Sequence, residues 1–216
     1  MIKSKSWNWN IVKGDHEEFW KNPSEESYYL VNRWLSQNKN MFLDLGCGLG
    51  RHCILFAKNG FKTFAFDLSE DAIKKTKEWM KTENLETTYD IGDMLELPYP
   101  INSMECVLCR NVISHTDTEG IKLIIKELFR VLKSDGECYL TLGSKQSEGF
   151  KQDWPVVDEN TKIRIEDGPE NGIPHFYADY DLIKELFKDF KIINISQIEN
   201  FHNDISSWHY HILIKK

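Results

Sequence analysis

A chain of 216 residues holds one domain with a sizeable core, and 41% hydrophobic with 28% charged residues is an ordinary globular composition. No apolar run approaches the roughly 20 residues that span a bilayer, and the first residues lack the apolar stretch of a secretion signal, so a cytoplasmic location is expected. A formal net charge of −7 argues against a nucleic-acid partner, whose phosphates are neutralised by Lys and Arg.

From about residue 22 the pattern alternates helix and strand, which predicts a Rossmann-like α/β fold with a doubly wound, mostly parallel sheet. Asn22-Pro23-Ser24-Glu25 reads as a helix start, with Asn22 as N-cap and Pro23 at the first helical position. Residues 41–45 form the first apolar strand, followed by a glycine-rich turn at 46–50 and a helix over 51–58 that closes at Asn59-Gly60. Residues 61–66 form a second strand ending in Asp67, and Ser69 caps the next helix with Glu70 and Asp71 in its first turn. Lys74, Lys75, Lys77 and Lys81 alternate there with Glu78 and Glu83, the pattern of a solvated face rather than a basic patch. Strands are predicted at 87–91 and 104–109, then a helix over 118–132 with Ile121, Ile124, Ile125, Leu128 and Leu132 on one face. Asp135-Gly136 turns the chain into a fifth strand, 137–142.

Residues 143–177 lack a long regular pattern, apart from a short strand at 162–165, and a stretch of that kind reads as a lid or binding loop that is mobile when empty. A helix at about 179–189 and two strands, 191–198 and 207–215, complete the chain. The organisation expected is therefore one domain: an N-terminal cap (1–40), a core (41–142), an insertion (143–177) and a closing helix with two strands (178–216).

The five cysteines have no disulfide-framework spacing. Cys106 and Cys109 form a C-x-x-C, but inside a strand they point to opposite faces and cannot grip one ion, so no metal is expected.

The informative motif is Asp44-Leu45-Gly46-Cys47-Gly48-Leu49-Gly50, placed where a strand passes into a helix. Glycines there let the backbone turn and approach a ligand, and the helix start offers free N–H groups. Asp67 ends the second strand, where a carboxylate accepts hydrogen bonds from ribose hydroxyls. Asp93, in Gly92-Asp93-Met94, follows the third strand within reach of an adenine amino group. The glycine spacing is G-x-G-x-G, and Arg51 stands where a dinucleotide enzyme has its third glycine.

Taken in order, these residues resemble the class I S-adenosylmethionine-dependent methyltransferases over roughly residues 41–142. The resemblance implies S-adenosylmethionine as cofactor. It assigns Asp44, Gly46, Cys47, Gly48 and Gly50 to the methionine end, Asp67 to the ribose, and Leu68, Asp93 and Met94 to the adenine. It also runs the segment Cys109-Arg110-Asn111-Val112 under the methionine, and it implies an antiparallel final strand. The string Gly48-Leu49-Gly50-Arg51-His52 is similar to the small-molecule branch containing tellurite-resistance and thiopurine-type enzymes. Two readings beside methyl transfer stay open. One is another S-adenosyl transfer, such as aminopropyl transfer; the other is an inactive methyltransferase-like binding module. An NAD-dependent oxidoreductase is opposed by the glycine spacing.

Methyl transfer needs mainly orientation and, for some acceptors, a base. The fourth strand ends Arg110-Asn111-Val112-Ile113, unlike adenine- and amide-nitrogen methyltransferases, and no Pro-Cys dipeptide of cytosine-C5 enzymes occurs. A small-molecule acceptor is therefore expected. His115 is the candidate base, because residues after the fourth strand stand nearest the reacting methyl group in this fold. His175, His202 and His209 are expected to gather near it, with Trp154, Phe176, Tyr177 and Trp208 as walls. His209 and His211 equally suit a strand interior, His52 a structural role and His16 a solvated one. Trp7, Trp9 and Trp20 are expected to cover the pocket. Nothing in the composition sets an oligomeric state.

Overall fold

The computed structural model describes residues 4–202 and 205–216. The chain runs α1 (Asp15–Lys21), α2 (Glu25–Ser36), β1 (Met41–Leu45), α3 (Arg51–Lys58), β2 (Lys62–Asp67), α4 (Glu70–Thr82), β3 (Thr87–Ile91) and β4 (Met104–Cys109). It continues α5 (Thr118–Val131), β5 (Leu132–Ser144), α6 (Glu148–Lys151), β6 (Val156–Asp158), β7 (Thr161–Ile163), β8 (Pro174–Ala178), α7 (Tyr180–Leu186), β9 (Lys191–His202) and β10 (Ile205–Lys215). Among the described residues, no helix is long and apolar enough to cross a membrane.

Strands β3, β2, β1, β4 and β5 lie side by side and parallel, the doubly wound order expected from helix–strand alternation. On the far edge of β5, β10 pairs antiparallel, and β9 pairs antiparallel with β10. Alternation along each strand divides the core. Leu43, Leu45, Val107 and Cys109 face α5 and α7, while Phe42, Cys106 and Leu108 face α2 and α3. Cys106 and Cys109 thus point to opposite faces, and all five cysteines are free and buried. On the α2–α3 face Phe42 and Phe56 stack with centroids 3.8 Å apart, and Trp34 and Phe61 close around them. Each such fully buried side chain contributes about 1.5–3 kcal/mol by leaving water.

At the foot of β5, Glu137 anchors α2. It accepts from Arg33 Nε and Nη2, both at 2.8 Å, and from Trp34 Nε1 at 2.9 Å. Asp135, with φ 66, makes the bend expected from Asp135-Gly136, yet strand pairing begins earlier, at Leu132.

Three features differ from the sequence expectation. Helix α1 was not foreseen. The N-cap of α2 is Ser24 rather than Asn22, because Asn22 instead closes α1 and its side chain reaches back to the Glu18 carbonyl at 3.0 Å. The stretch 143–177 holds a small antiparallel array, β6–β7–β8, tied to the main sheet where Gly143 and Ser144 of β5 pair in parallel with Tyr177 and Ala178 of β8. Strand β8 takes the edge of β5 beyond the point where β4 ends, over the carboxyl ends of the parallel strands.

Candidate active site

An open cleft lies at those carboxyl ends, enclosing with its mouth about 780 Å³ of space that includes open solvent. One wall is the loop after β1. Gly46 and Cys47 N–H both donate to the Phe66 carbonyl, at 2.8 and 3.0 Å, which ties the loop to the end of β2. Gly46 has φ 74, and a Cβ there would sit 2.4 Å from both Val112 methyl carbons; Gly48 has φ 55, and its Cβ would meet Trp9 at 2.7 Å. Only glycine serves at both points, and through them the loop is packed between the segment after β4 and the N-terminal segment.

Asp67 is the carboxylate on the cleft wall. Its Oδ2 accepts Gly48 N–H and its Oδ1 accepts Ser69 N–H, both at 2.9 Å. Burial, with help from the Asp44 charge, pushes its pKa up to about 6 against the stabilising N–H groups. Leu68, Gly92 and Met94 continue this wall. Opposite stand Arg110, Asn111 and Val112; Arg110 is held by Glu26 at 2.5 Å. Arg51 adds a second guanidinium, over the Trp20 ring at 4.8 Å. Trp7, Trp9 and Trp20 close the cleft from the N-terminal side, packed on one another with centroids 4.8–6.0 Å apart.

Of the cofactor residues expected from sequence, Gly46, Cys47, Gly48, Asp67, Leu68, Met94 and Arg110 line the cleft. Asp44, Gly50 and Asp93 stand behind the lining. Asp44 lies on the α3 face, 3.7 Å from His52 Nδ1 and 3.5 Å from Cys53 Sγ. Gly50 is the N-cap of α3. Asp93 Oδ1 accepts the Ser4 hydroxyl at 2.8 Å and Leu95 N–H at 3.0 Å, so it holds the N-terminal segment down. Asn111 and Val112, from the segment expected under the methionine, also line the cleft; Lys5, Leu49 and Phe66 do so too and were not foreseen, following from chain proximity to motif residues rather than from a motif of their own.

His115 lines the cleft as well, its ring stacked on Trp7 with centroids 6.5 Å apart. The Ser114 carbonyl accepts Phe176 N–H at 2.8 Å, which brings β8 against the segment after β4. The His115 and His175 rings then meet edge-on with centroids 5.0 Å apart, and Tyr177 lies beyond His175 at 6.5 Å. Burial first, then the charge of His175, hold His115 down to about 3, so its ring is neutral at neutral pH and a weak proton acceptor. Glu170, unforeseen, completes this corner. Burial opposes its charge, but His175, His115 and Arg164 together hold it down to about 2.

The expected gathering of histidines is partial. His209 is pressed to about 4 by burial and then by Arg110, and it lies behind the cleft rather than on its lining. His211 is a strand-interior residue, its Nδ1 2.6 Å from the Tyr139 hydroxyl. The side chain of His202 lies outside the described residues. Phe176 is core, and Trp154 packs against Arg164 at 5.8 Å, so neither forms a cleft wall.

Residues 42–136 match the methyltransferase domain family. That stretch is a little under half of the chain, and the fold is shared with S-adenosylmethionine-dependent methyltransferases of solved structure. Norajmaline N-methyltransferase of Rauvolfia serpentina is 35% identical over 96 residues, 43% of this chain and 32% of that protein. The solved structure of a SAM-dependent methyltransferase from Methanosarcina mazei has a TM-score of 0.75 at 19% identity and covers 90% of this chain and 98% of that one. A Burkholderia thailandensis N1-methyltransferase, solved with 1,6-didemethyltoxoflavin and S-adenosylhomocysteine, has a TM-score of 0.66 at 13% identity and covers 94% and 82%. The chain spans less than half the length of each of the first curated relatives it matches.

Proposed function

We propose that this chain transfers a methyl group from S-adenosylmethionine to a small molecule bound at the His115 end of the cleft. The observation that carries the reading is the cleft wall itself: the Gly46–Gly48 loop, Asp67 with Leu68, Met94 and Arg110 converge on one cavity. These residues fit the cofactor. Asp67 offers a carboxylate suited to ribose hydroxyls, Met94 and Leu68 offer apolar surface for a base, and Arg51 and Arg110 offer positive charge for a carboxylate. S-adenosylmethionine supplies an electrophilic methyl group when bound.

The chain's own contribution is orientation and exclusion of water. Trp7, Trp9 and Trp20 roof the cofactor side, and His115 presents a neutral imidazole to the acceptor. His175, Tyr177, His209 and Trp154 stand behind His115 as candidates for shaping the acceptor site, with His202 a further one from sequence alone. A net charge of −7 suits a small acceptor better than a nucleic acid. Five free, buried cysteines suit the reducing interior of a cell.

The test is calorimetric titration with S-adenosylhomocysteine and with NAD, followed by a screen of small thiols, amines, hydroxyls and oxyanions for S-adenosylhomocysteine formation. Binding of the first nucleoside but not of NAD is expected. Accumulation of methylthioadenosine in place of S-adenosylhomocysteine would assign the chain to aminopropyl-type transfer instead.

A further inference from the structure

We propose that His115, Glu170 and His175 form a three-ligand site for a divalent transition-metal ion at the acceptor end of the cleft. His115 follows β4, whereas Glu170 and His175 belong to the turn leading into β8 and to β8 itself, and the donor atoms of all three lie within 4.8 Å of one another. His115 Nε2 stands 3.8 Å from Glu170 Oε1, and His175 Nε2 stands 3.6 Å from Glu170 Oε2. These separations are long for hydrogen bonds. They are close to the spacing of about 3.4 Å that a tetrahedral ion with bonds of about 2.1 Å imposes between neighbouring ligands, so a small contraction closes the site.

The orientation of His175 supports the assignment independently. Its Nδ1 is 3.0 Å from the Ile173 carbonyl, which can only accept, so Nδ1 carries the hydrogen. Nε2 of the same ring is the atom turned towards Glu170 Oε2. A second ring nitrogen donating to a backbone carbonyl is also how metal-binding histidines are usually held. Arg164 pairs with Glu166 and with Glu170 Oε2, the oxygen that also faces His175, while Oε1 faces His115.

Two imidazoles and one carboxylate leave at least one coordination position open, the arrangement of reactive rather than purely structural zinc-type sites. His115 faces the cleft, so the open position is directed towards the acceptor. A hydroxyl or thiol bound there ionises far below its free pKa, releasing its proton to solvent and keeping the anion in place. This role rests on the proposed function, and it narrows the acceptor to molecules with an ionisable oxygen or sulfur. Metal binding itself does not depend on that reading.

The experiment uses the full-length, untagged protein, stripped with chelator and free of nucleoside. Co²⁺ is titrated by visible absorption and Zn²⁺ by calorimetry, and S-adenosylhomocysteine affinity is measured separately. One ion per chain is expected, with the strong visible bands of low-coordinate cobalt. Glu170→Gln and His175→Ala should weaken Co²⁺ binding by at least about 100-fold, beyond the 10–100-fold that loss of a supporting partner costs, with S-adenosylhomocysteine affinity retained. His175→Cys should keep the ion and add a thiolate charge-transfer band, which an ordinary histidine–carboxylate ion pair cannot do. No saturable binding in the wild type, Co²⁺ affinity unchanged in Glu170→Gln and in His175→Ala, or no thiolate band in His175→Cys overturns the metal site. A protein that binds Co²⁺ but not S-adenosylhomocysteine supports the site and overturns the cofactor reading instead.

Discussion

Lowering the pH from 7.5 to 5 perturbs the cofactor half of the cleft at one group, because Asp67 titrates near 6. Its folded value lies above the ordinary carboxylate value of about 3.9, so between roughly pH 4 and 6 the folded state holds more protons than the unfolded one. Asp67 therefore weakens the fold as pH rises through that window, by on the order of 3 kcal/mol once it is ionised in both states. A ligand whose ribose hydroxyls donate to this carboxylate prefers the ionised form, so its affinity moves the opposite way. S-adenosylhomocysteine should bind about tenfold more weakly at pH 5 than at neutral pH. In Asp67→Asn the amide NH₂ must face the N–H of Gly48 or of Ser69, both of which now donate to the carboxylate. One donor is stranded and the charged hydrogen bonds to the ligand are lost. Such bonds are worth about 1.5–3 kcal/mol each, so the dissociation constant should rise about 10- to 150-fold at pH 7.5 and lose its acid dependence. Calorimetric titration of both proteins at pH 5, 6 and 7.5 checks this. Wild-type affinity that is flat across the interval refutes the titration argument, and an Asn variant that binds like wild type refutes the ribose assignment.

Gly48→Ala should cost about 1–3 kcal/mol of stability and displace Trp9, because it joins a left-handed φ to a contact at 2.7 Å; wild-type melting and wild-type S-adenosylhomocysteine affinity together would refute this. Glu137→Ala should destabilise the fold by about 1.5–3 kcal/mol, since the fully buried Trp34 indole N–H, which now bonds the carboxylate at 2.9 Å, loses its acceptor, while the folded protein binds nucleoside as before. Burial opposes the Glu137 charge, but Arg33 and Lys39 hold its pKa low; its contribution is therefore present above its unfolded pKa and lost as pH falls through the folded one, a slope that denaturant titrations of wild type and variant should resolve. Nucleoside binding should change tryptophan emission, and Trp9→Phe should remove most of that change; an undiminished signal would mean that this part of the N-terminal segment does not close on the ligand.

The sheet was legible because its central strands are buried on both faces and read as short apolar runs, as in Met104–Cys109, whose bounds agree in sequence and structure. Helix α1 was not, because its seven residues, DHEEFWK, carry too few apolar positions to show a period and leave Phe19 62% exposed. The cap of α2 was misplaced by reading Pro23 as a first helical residue, when the chain uses it as a connection between two helices. Strands β6 and β7, three residues each, are too short to show alternation, and β8 is fixed by pairing with distant β5 and β7. In the cleft, Asp67 and the glycine loop were legible because a ligand approaching a strand end demands particular residues at adjacent positions. Asp44 and Asp93 were also picked out by position, but their partners, His52, Cys53 and Ser4, appear only once the chain is folded.

The acceptor half is hidden for a different reason. Pro169-Glu170-Asn171-Gly172 reads as a turn, and as local chemistry it is one: Ile173 N–H returns to the Glu170 carbonyl at 3.0 Å. The Glu170 side chain acquires meaning only because β8 is held beside the segment after β4, through Phe176 to Ser114 and Tyr177 to Gly143. The family match ends at residue 136, so of the three groups at that corner it contains His115 alone. The family model covers neither Glu170 nor His175. The identity of the acceptor therefore has to be sought in the chemistry of residues 143–177, where the chain departs from what the match covers.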